Sequence, residues 1–138
     1  MKIGVATSAE VDQIWPLVST YLKKATDKTG DDYSTGDLWQ MCRSGNAFLV
    51  YAHDDGRVFM GSVWQFQSWS RGTVFRCLSL GGISMSQWLQ PLNTMIEAMM
   101  RDGGAYRFVI DGREGWSRVL QSLSRTPKKL RITFEVEI

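Results

Sequence analysis

The sequence predicts an α+β fold, a mixed, mostly antiparallel sheet with helices on both faces, in the element order β α α β β β α β α β. Three consecutive runs of β-branched and aromatic residues, separated by short turns, indicate an antiparallel meander. A long helical repeat then lies between two strand-like runs, and such a crossover joins parallel strands. The length of 138 residues, without repeats or linkers, favours a single domain over residues 1–138.

The first third of the chain predicts one short strand and two helices. The segment "KIGVA" is typical of a strand. Thr7 fits an N-cap, and Glu10 completes a capping box three residues later. Apolar residues at helical spacing follow as far as Leu22, and Pro16 predicts a kink or a late start in this helix. The segment "DLWQMCRSG" predicts a second, short helix that Gly45 ends.

The rest of the chain predicts the meander, the crossover and a final helix and strand. "AFLVYAH" and "RVFMGSVWQFQSW" flank an Asp-Gly turn, and "TVFRCLSL" follows them. Ser84 or Ser86 caps a long helix that "RDGG" ends. "YRFVI", "EGWSRVLQSL" and the alternating "LRITFEVEI" predict a strand, a short helix and a last strand. The inward positions of these segments predict a core of Val11, Ile14, Val18, Leu49, Phe59, Val63, Phe75, Leu78, Leu92, Ile96, Phe108, Ile110, Leu120 and Phe134.

Composition excludes several classes of protein. The net charge is only +2, which does not favour wholesale nucleic-acid binding. Two separated cysteines, Cys42 and Cys77, and the single His53 cannot form a zinc site, so we expect no metal and two free thiols. The N-terminus lacks the apolar core of a signal peptide, and no stretch has the length of a transmembrane span. We therefore expect a soluble, intracellular protein.

The segment "DGREGWSRVL" raises the question of a functional loop. Asp111 or Gly112 in a cap and Glu114 in the first turn satisfy ordinary helix-start chemistry. Helix-start chemistry gives Arg113 no role. It can pair with Asp111, lock the loop or face a ligand phosphate. A structural loop with a fixed arginine is the preferred interpretation. In a mixed sheet of this kind a crevice opens where the third meander strand and the next strand part, close to residues 80–84.

The element order, with Gly81-Gly82, Gly103-Gly104 and Gly112-Arg113-Glu114-Gly115-Trp116, resembles the GNAT (Gcn5-related N-acetyltransferase) superfamily over essentially the whole chain. It is most similar to the small GNAT-like proteins of tailed bacteriophages. The resemblance implies an acyl-coenzyme A in the crevice, with its pyrophosphate at the start of the long helix. The candidate cofactor-binding residues are Gly81, Gly82, Ser84, Ser86 and Arg113.

The chain departs from the GNAT pattern in ways that bear on activity. "GGISMSQ" has no arginine and no second glycine at the family spacing, so we expect acetyl-CoA to bind weakly or not at all. Family members often use a carboxylate on the fourth or fifth strand as base and a tyrosine early in the last helix as acid. Here Asp111 is the candidate base, and Ser117 is the only hydroxyl near the start of that helix.

These departures favour a catalytically silent, phage-encoded GNAT-like protein that is virion-associated or takes part in assembly. It would act in the host cytoplasm or within the virion, away from membranes, through a phage or host protein partner or as a homo-oligomer. Trp64, Trp69 and Trp88 are the expected binding patch near the crevice. The first alternative is an active acyl-CoA-dependent N-acetyltransferase. The second is a nucleic-acid or host-protein binding module that uses the basic residues Arg125, Lys128, Lys129 and Arg131.

Overall fold

The computed structural model describes residues 1–28, 32–112 and 115–137. Within these ranges the strands and helices follow the predicted order as far as the last helix. The strands are β1 (Lys2–Ala6), β2 (Phe48–Asp54), β3 (Arg57–Trp69), β4 (Gly72–Gly82) and β5 (Arg107–Ile110). The helices are α1 (Val11–Lys28), α2 (Thr35–Arg43), α3 (Met85–Gly103) and α4 (Gly115–Ser122).

The sheet has the spatial order β1-β2-β3-β4-β5. β1 to β4 pair antiparallel with their neighbours. β5 pairs in parallel with β4, from Val74 opposite Arg107 to Cys77 opposite Ile110. A tight turn can join only antiparallel strands, so the parallel pair β4 and β5 requires the long connection that α3 provides. The predicted fold class, a mixed and mostly antiparallel sheet with helices, is confirmed.

Local sequence signals explain where the first helices begin. The Thr7 amide donates to Glu10 Oε1 (3.0 Å), and the Glu10 amide donates to Thr7 Oγ1 (3.3 Å), which confirms the predicted capping box. These hydrogen bonds lower the pKa of Glu10. Ser34 and Asp37 form a second capping box at the start of α2. α1 continues through Pro16 from Val11, so the late start that we considered for this helix is wrong.

The core divides into two apolar layers, one on each face of the sheet. The layer under α1 and α2 includes Val18, Leu38 and Val63. The layer under α3 includes Trp64, Phe75 and Ile96. Eight residues of the predicted core are buried: Val11, Val18, Leu49, Val63, Phe75, Leu78, Leu92 and Ile96. Five others are partly buried: Ile14, Phe59, Phe108, Ile110 and Leu120.

The prediction of a last strand after α4 is wrong for the described residues. After α4 the described residues, which end at Glu137, form no further strand. Phe134 is 84% exposed, so its assignment to the core is wrong. The alternation in "LRITFEVEI" is present, but a strand exists only where its backbone groups find a neighbouring strand. No strand of the described ranges pairs with this segment.

The expected tryptophan patch is also wrong. Trp64 and Trp88 are each 1% exposed, and Trp69 is partly buried. The Trp64 ring stacks on Phe75 with 5.2 Å between centroids. The Trp88 indole nitrogen donates to the Ile83 carbonyl (2.7 Å). Trp64 and Trp88 therefore hold α3 and the sheet together and offer no surface to a partner.

The two cysteines are free and buried, as expected. Burial raises the pKa of the Cys42 thiol to about 12, and burial also raises the pKa of the Cys77 thiol. Because the thiolate is the reactive form, neither cysteine is suited to nucleophilic chemistry. In the part of the chain that the structure describes, no helix is both long enough and apolar enough to cross a membrane.

Candidate functional site

The candidate site lies where β4 and β5 separate. The last pair between them joins Cys77 to Ile110. The chain then leaves β5 at Asp111, whose amide donates to the Cys77 carbonyl (3.4 Å). β4 continues to Gly82. Along residues 78–82, the edge of β4 that faces away from β3 is therefore not covered by any strand of the described ranges.

A crevice opens beside this uncovered edge on the α1 face of the sheet. Its volume is about 60 Å³, enough for a few water molecules. A smaller, apolar cavity of about 20 Å³ lies on the α3 face. Leu80, Ile110 and Trp116 line both cavities and so separate them. The crevice is lined by Ala25, Lys28, Leu78, Ser79, Leu80, Ile110, Asp111, Gly112 and Trp116.

Ser79 supplies a hydroxyl without a partner inside this crevice. The residue is 5% exposed, and its Oγ has no hydrogen-bond partner in the described structure. Leaving a buried hydroxyl unpaired costs about 1–3 kcal/mol, and such groups in native proteins call for an explanation such as a ligand or ordered water. Ser79 is therefore positioned to bond a polar group that enters the crevice.

Asp111 and Arg76 form the charged rim of the site. Arg76 Nε donates to Asp111 Oδ2 (2.6 Å), and Arg76 Nη1 lies 3.5 Å from Gln67 Oε1. The hydrogen bond to Asp111 raises the pKa of Arg76. The Asp111 carboxylate is thus oriented from β4 and remains about half exposed. Lys28, at the end of α1, lines the same crevice.

Gly81 and Gly82 are explained by packing. A Cβ on Gly81 would collide with the carbonyl oxygen of Tyr21 in α1, and a Cβ on Gly82 would collide with that of Phe59 in β3. Both glycines also pair with β3, opposite Gly61 and Met60 respectively. They therefore belong to the strand, and their backbones end the uncovered edge. Their role in cofactor binding stays a prediction.

The start of α3 lies directly beyond β4 and differs from the other capped helices. Ser84 occupies the N-cap with φ 58° and ψ 42°, and its side chain makes no capping hydrogen bond. Ser84 is thus the N-cap residue, one of the two predicted positions, but its hydroxyl does not cap. Ser86 is exposed in the first turn. The first-turn amides of a helix attract anions when no side chain satisfies them.

The sequence-predicted site residues are only partly brought together. Asp111 lies in the crevice, and Ser84 and Ser86 follow the end of β4. Ser117 is exposed on α4 and is absent from the crevice lining among the described residues. Arg113 lies outside the described residues. Trp116 was expected to face the sheet; it also lies in the gap between β4 and β5, where it lines both cavities.

Sequence reasoning missed Ser79, Arg76 and Lys28. Ser79 interrupts the apolar run "CLSL", and a polar residue at a strand's buried face is a usable signal. The much greater length of β4 than β5, eleven residues against four, also marks where the edge becomes uncovered. Arg76 and Lys28 carried no such signal, because their positions depend on how the strands and α1 meet.

The basic C-terminal cluster is engaged within the protein. Arg125 donates to Asn93 Oδ1 (2.8 Å) and Glu97 Oε1 (2.6 Å), and its guanidinium lies 4.7 Å from the Phe108 ring centroid. Arg131 lies 5.4 Å from the Trp69 ring centroid. Arg125 and Arg131, which belong to the nucleic-acid hypothesis, therefore have partners inside the chain.

The complete fold resembles solved acetyltransferases. No protein family and no curated sequence matches the chain. A probable acetyltransferase is 16% identical with a TM-score of 0.71, over 100% of this chain and 98% of that one. The ribosomal-protein-alanine N-acetyltransferase of Brucella melitensis biovar Abortus 2308 is 8% identical with a TM-score of 0.69, over 100% of both chains. An aminoglycoside acetyltransferase, meta-AAC0020, from an uncultured soil metagenomic sample and solved with sisomicin, is 11% identical with a TM-score of 0.71, over 99% and 95%.

Proposed function

We propose that this chain, which has the GNAT acetyltransferase fold, binds an acyl-coenzyme A at the crevice and transfers the acyl group to an amine. The observation that carries the proposal is the uncovered edge of β4 at residues 78–82. It has the unpaired Ser79 hydroxyl at one end and the uncapped start of α3 at the other.

The residues at this edge fit the cofactor. The edge of a strand offers backbone N–H and C=O groups that can pair with an extended, amide-bearing chain, and the pantetheine arm of coenzyme A has this character. The first-turn amides of α3 suit its pyrophosphate. Lys28 adds a positive charge at the crevice. Gly81 and Gly82 keep β4 close enough to α1 and β3 for the edge to exist.

The chemistry assigned to this chain's own residues is proton transfer and orientation. When bound, the thioester would supply an activated acyl group. Asp111 can accept a proton from the incoming amine, while Arg76 holds its carboxylate in place (2.6 Å). The carbon–sulfur bond of the thioester would break as the amide bond forms, and coenzyme A would leave as the thiol, taking up one proton for the one that Asp111 accepts. The Ser79 hydroxyl can donate to an oxygen or sulfur placed beside it. An amine acceptor is proposed because the compared structures include enzymes named for the acetylation of ribosomal-protein alanine and of aminoglycosides.

We expect Ser86→Glu to weaken acetyl-CoA binding about tenfold or more, because like charges would meet at the helix N-terminus. The new carboxylate would stand in the first turn of α3, where it repels the pyrophosphate. The helix dipole favours an acidic residue at that position, so the thermal unfolding temperature should stay the same or rise slightly. Isothermal titration calorimetry with acetyl-CoA, together with a thermal melt, measures both effects.

Gln121→Glu is the matched control, because it adds the same charge to an exposed position on α4. It should bind acetyl-CoA like the unmodified chain. Equal affinities for the two variants would place the pyrophosphate away from α3. Failure of the unmodified chain to bind at all would contradict the proposed function itself.

The second candidate is a catalytically silent, phage-encoded protein that binds a virion or assembly partner. Two observations support it. Packing contacts account for Gly81 and Gly82, and the crevice beside Trp116 has a volume of about 60 Å³. The two candidates differ in the calorimetric result: only the enzyme requires acetyl-CoA to bind at the crevice. This candidate would need a binding surface other than the buried Trp64 and Trp88.

A further inference from the structure

The C-terminal segment Leu130–Glu137, here called the tail, carries an exposed apolar row. Leu130 and Ile132 are 41% and 65% exposed, and Phe134 and Val136 are each 84% exposed. The four residues alternate with polar ones, so in an extended chain they share one face. Such a row of large apolar side chains in water is unusual for a monomer and typical of a surface that is covered by a partner.

The polar row of the tail reverses its charge along the chain. Arg131 and Lys129, the residue just before the tail, precede Thr133, and Glu135 and Glu137 follow it. If two tails pair antiparallel with Thr133 opposite Thr133, Arg131 faces Glu135 and Lys129 faces Glu137 on both sides of the centre. Opposite charges directly across a strand pair are stabilising, and like charges are destabilising. A parallel, in-register pair would put like charges together.

The same register pairs the apolar row with itself. Leu130 comes opposite Val136, and Ile132 opposite Phe134, so the apolar side chains of the two copies lie in contact on one face of the ribbon. No other residue is needed to match either row. The tail is thus complementary to a second copy of itself in both charge and hydrophobicity.

The position of the tail leaves room for this pairing. Arg125 fixes the chain after α4 to α3 through Glu97 (2.6 Å), and Arg131 lies near the Trp69 ring at the end of β3. Exposure then rises along the tail. β5 is the last strand of the sheet, and no strand of the described ranges pairs with its outer edge.

We propose that the tails of two copies of this chain pair antiparallel about Thr133 and form the centre of a homodimer. An isolated two-stranded ribbon is marginally stable, and the free edge of β5 in each copy gives the ribbon a sheet to extend. If the tail paired only with β5 of its own chain, the reversal of charge along the tail would have no part in the pairing. The proposal does not depend on the acyltransferase function.

Disulfide trapping tests the register. Thr133→Cys should form a disulfide-linked dimer under mild oxidation, because directly opposite residues lie within disulfide range. The buried Cys42 and Cys77 should not cross-link. Gln121→Cys, at an exposed position on α4, is the control and should stay monomeric on a non-reducing gel. Equal cross-linking of the two variants, or none at Thr133, would overturn the register.

Charge reversal tests the pairing itself. Light scattering should show a dimer for the unmodified chain, and Glu135→Lys should raise its dissociation constant about tenfold or more, since the change creates two like-charge pairs. Adding Arg131→Glu to Glu135→Lys should restore the dimer. Because these side chains are exposed, the folded monomer should persist, as circular dichroism would verify. An unmodified chain that stays monomeric at all concentrations would overturn the proposal.

Discussion

Replacing Phe75 with alanine is expected to lower the free energy of unfolding by about 3–5 kcal/mol, as other buried phenylalanine truncations do. Phe75 is fully buried in β4, in the layer under α3. Its ring lies 4.3 Å from Phe66 and 5.2 Å from Trp64, measured between centroids. The rigid rings around it leave little freedom to fill the cavity. Urea denaturation followed by tryptophan fluorescence measures the change.

Phe134→Ala is the matched control, because it removes the same atoms from an exposed position. It should cost about 0.5 kcal/mol or less. The comparison is made at low protein concentration, so that association of copies does not contribute. A loss below about 1 kcal/mol for Phe75→Ala would mean that this layer is not the stable centre of the fold.

The second large effect is expected at Asp111. If this carboxylate accepts the amine proton, Asp111→Asn should lower the rate of acyl transfer about 100-fold or more. The affinity for acetyl-CoA should change little, because the substitution keeps the shape of the side chain and a hydrogen-bond acceptor for Arg76. The rate of coenzyme A release in the presence of a panel of amines, with calorimetry for affinity, separates these effects.

Asp102→Asn makes the same substitution at an exposed position near the end of α3. It should leave both the rate and the affinity unchanged. A normal rate for Asp111→Asn would mean that Asp111 takes no part in the proton transfer. Its role would then be to hold Arg76 where β4 and β5 separate.

Most of the fold follows from local sequence signals. The capping box of Thr7 and Glu10 depends on residues three apart, and the structure shows it as predicted. The meander is predicted equally well, because short turns force neighbouring strands to pair. The tail was predicted wrongly as part of the sheet, because alternation reports that one face of a segment is apolar and does not report what covers that face.

The site was harder to predict for a related reason. Gly81 and Gly82 look like a ligand loop in sequence, but contacts with Tyr21 and Phe59 explain them. These contacts join elements far apart in the chain, so no local pattern contains them. Ser79 was missed because its importance arises from what β5 leaves uncovered. Asp111 could be named as a candidate because it ends a strand, a position that sequence periodicity locates, and it lines the crevice.

Hydrogen–deuterium exchange of the backbone amides tests the central claim most directly, namely that the uncovered edge of β4 and the start of α3 form one binding site. Addition of acetyl-CoA should slow exchange in residues 78–87. The amides of β1 and β2, on the far side of the sheet, should exchange as before. Protection confined to other regions, or no protection at saturating acetyl-CoA, would contradict this account of the molecule.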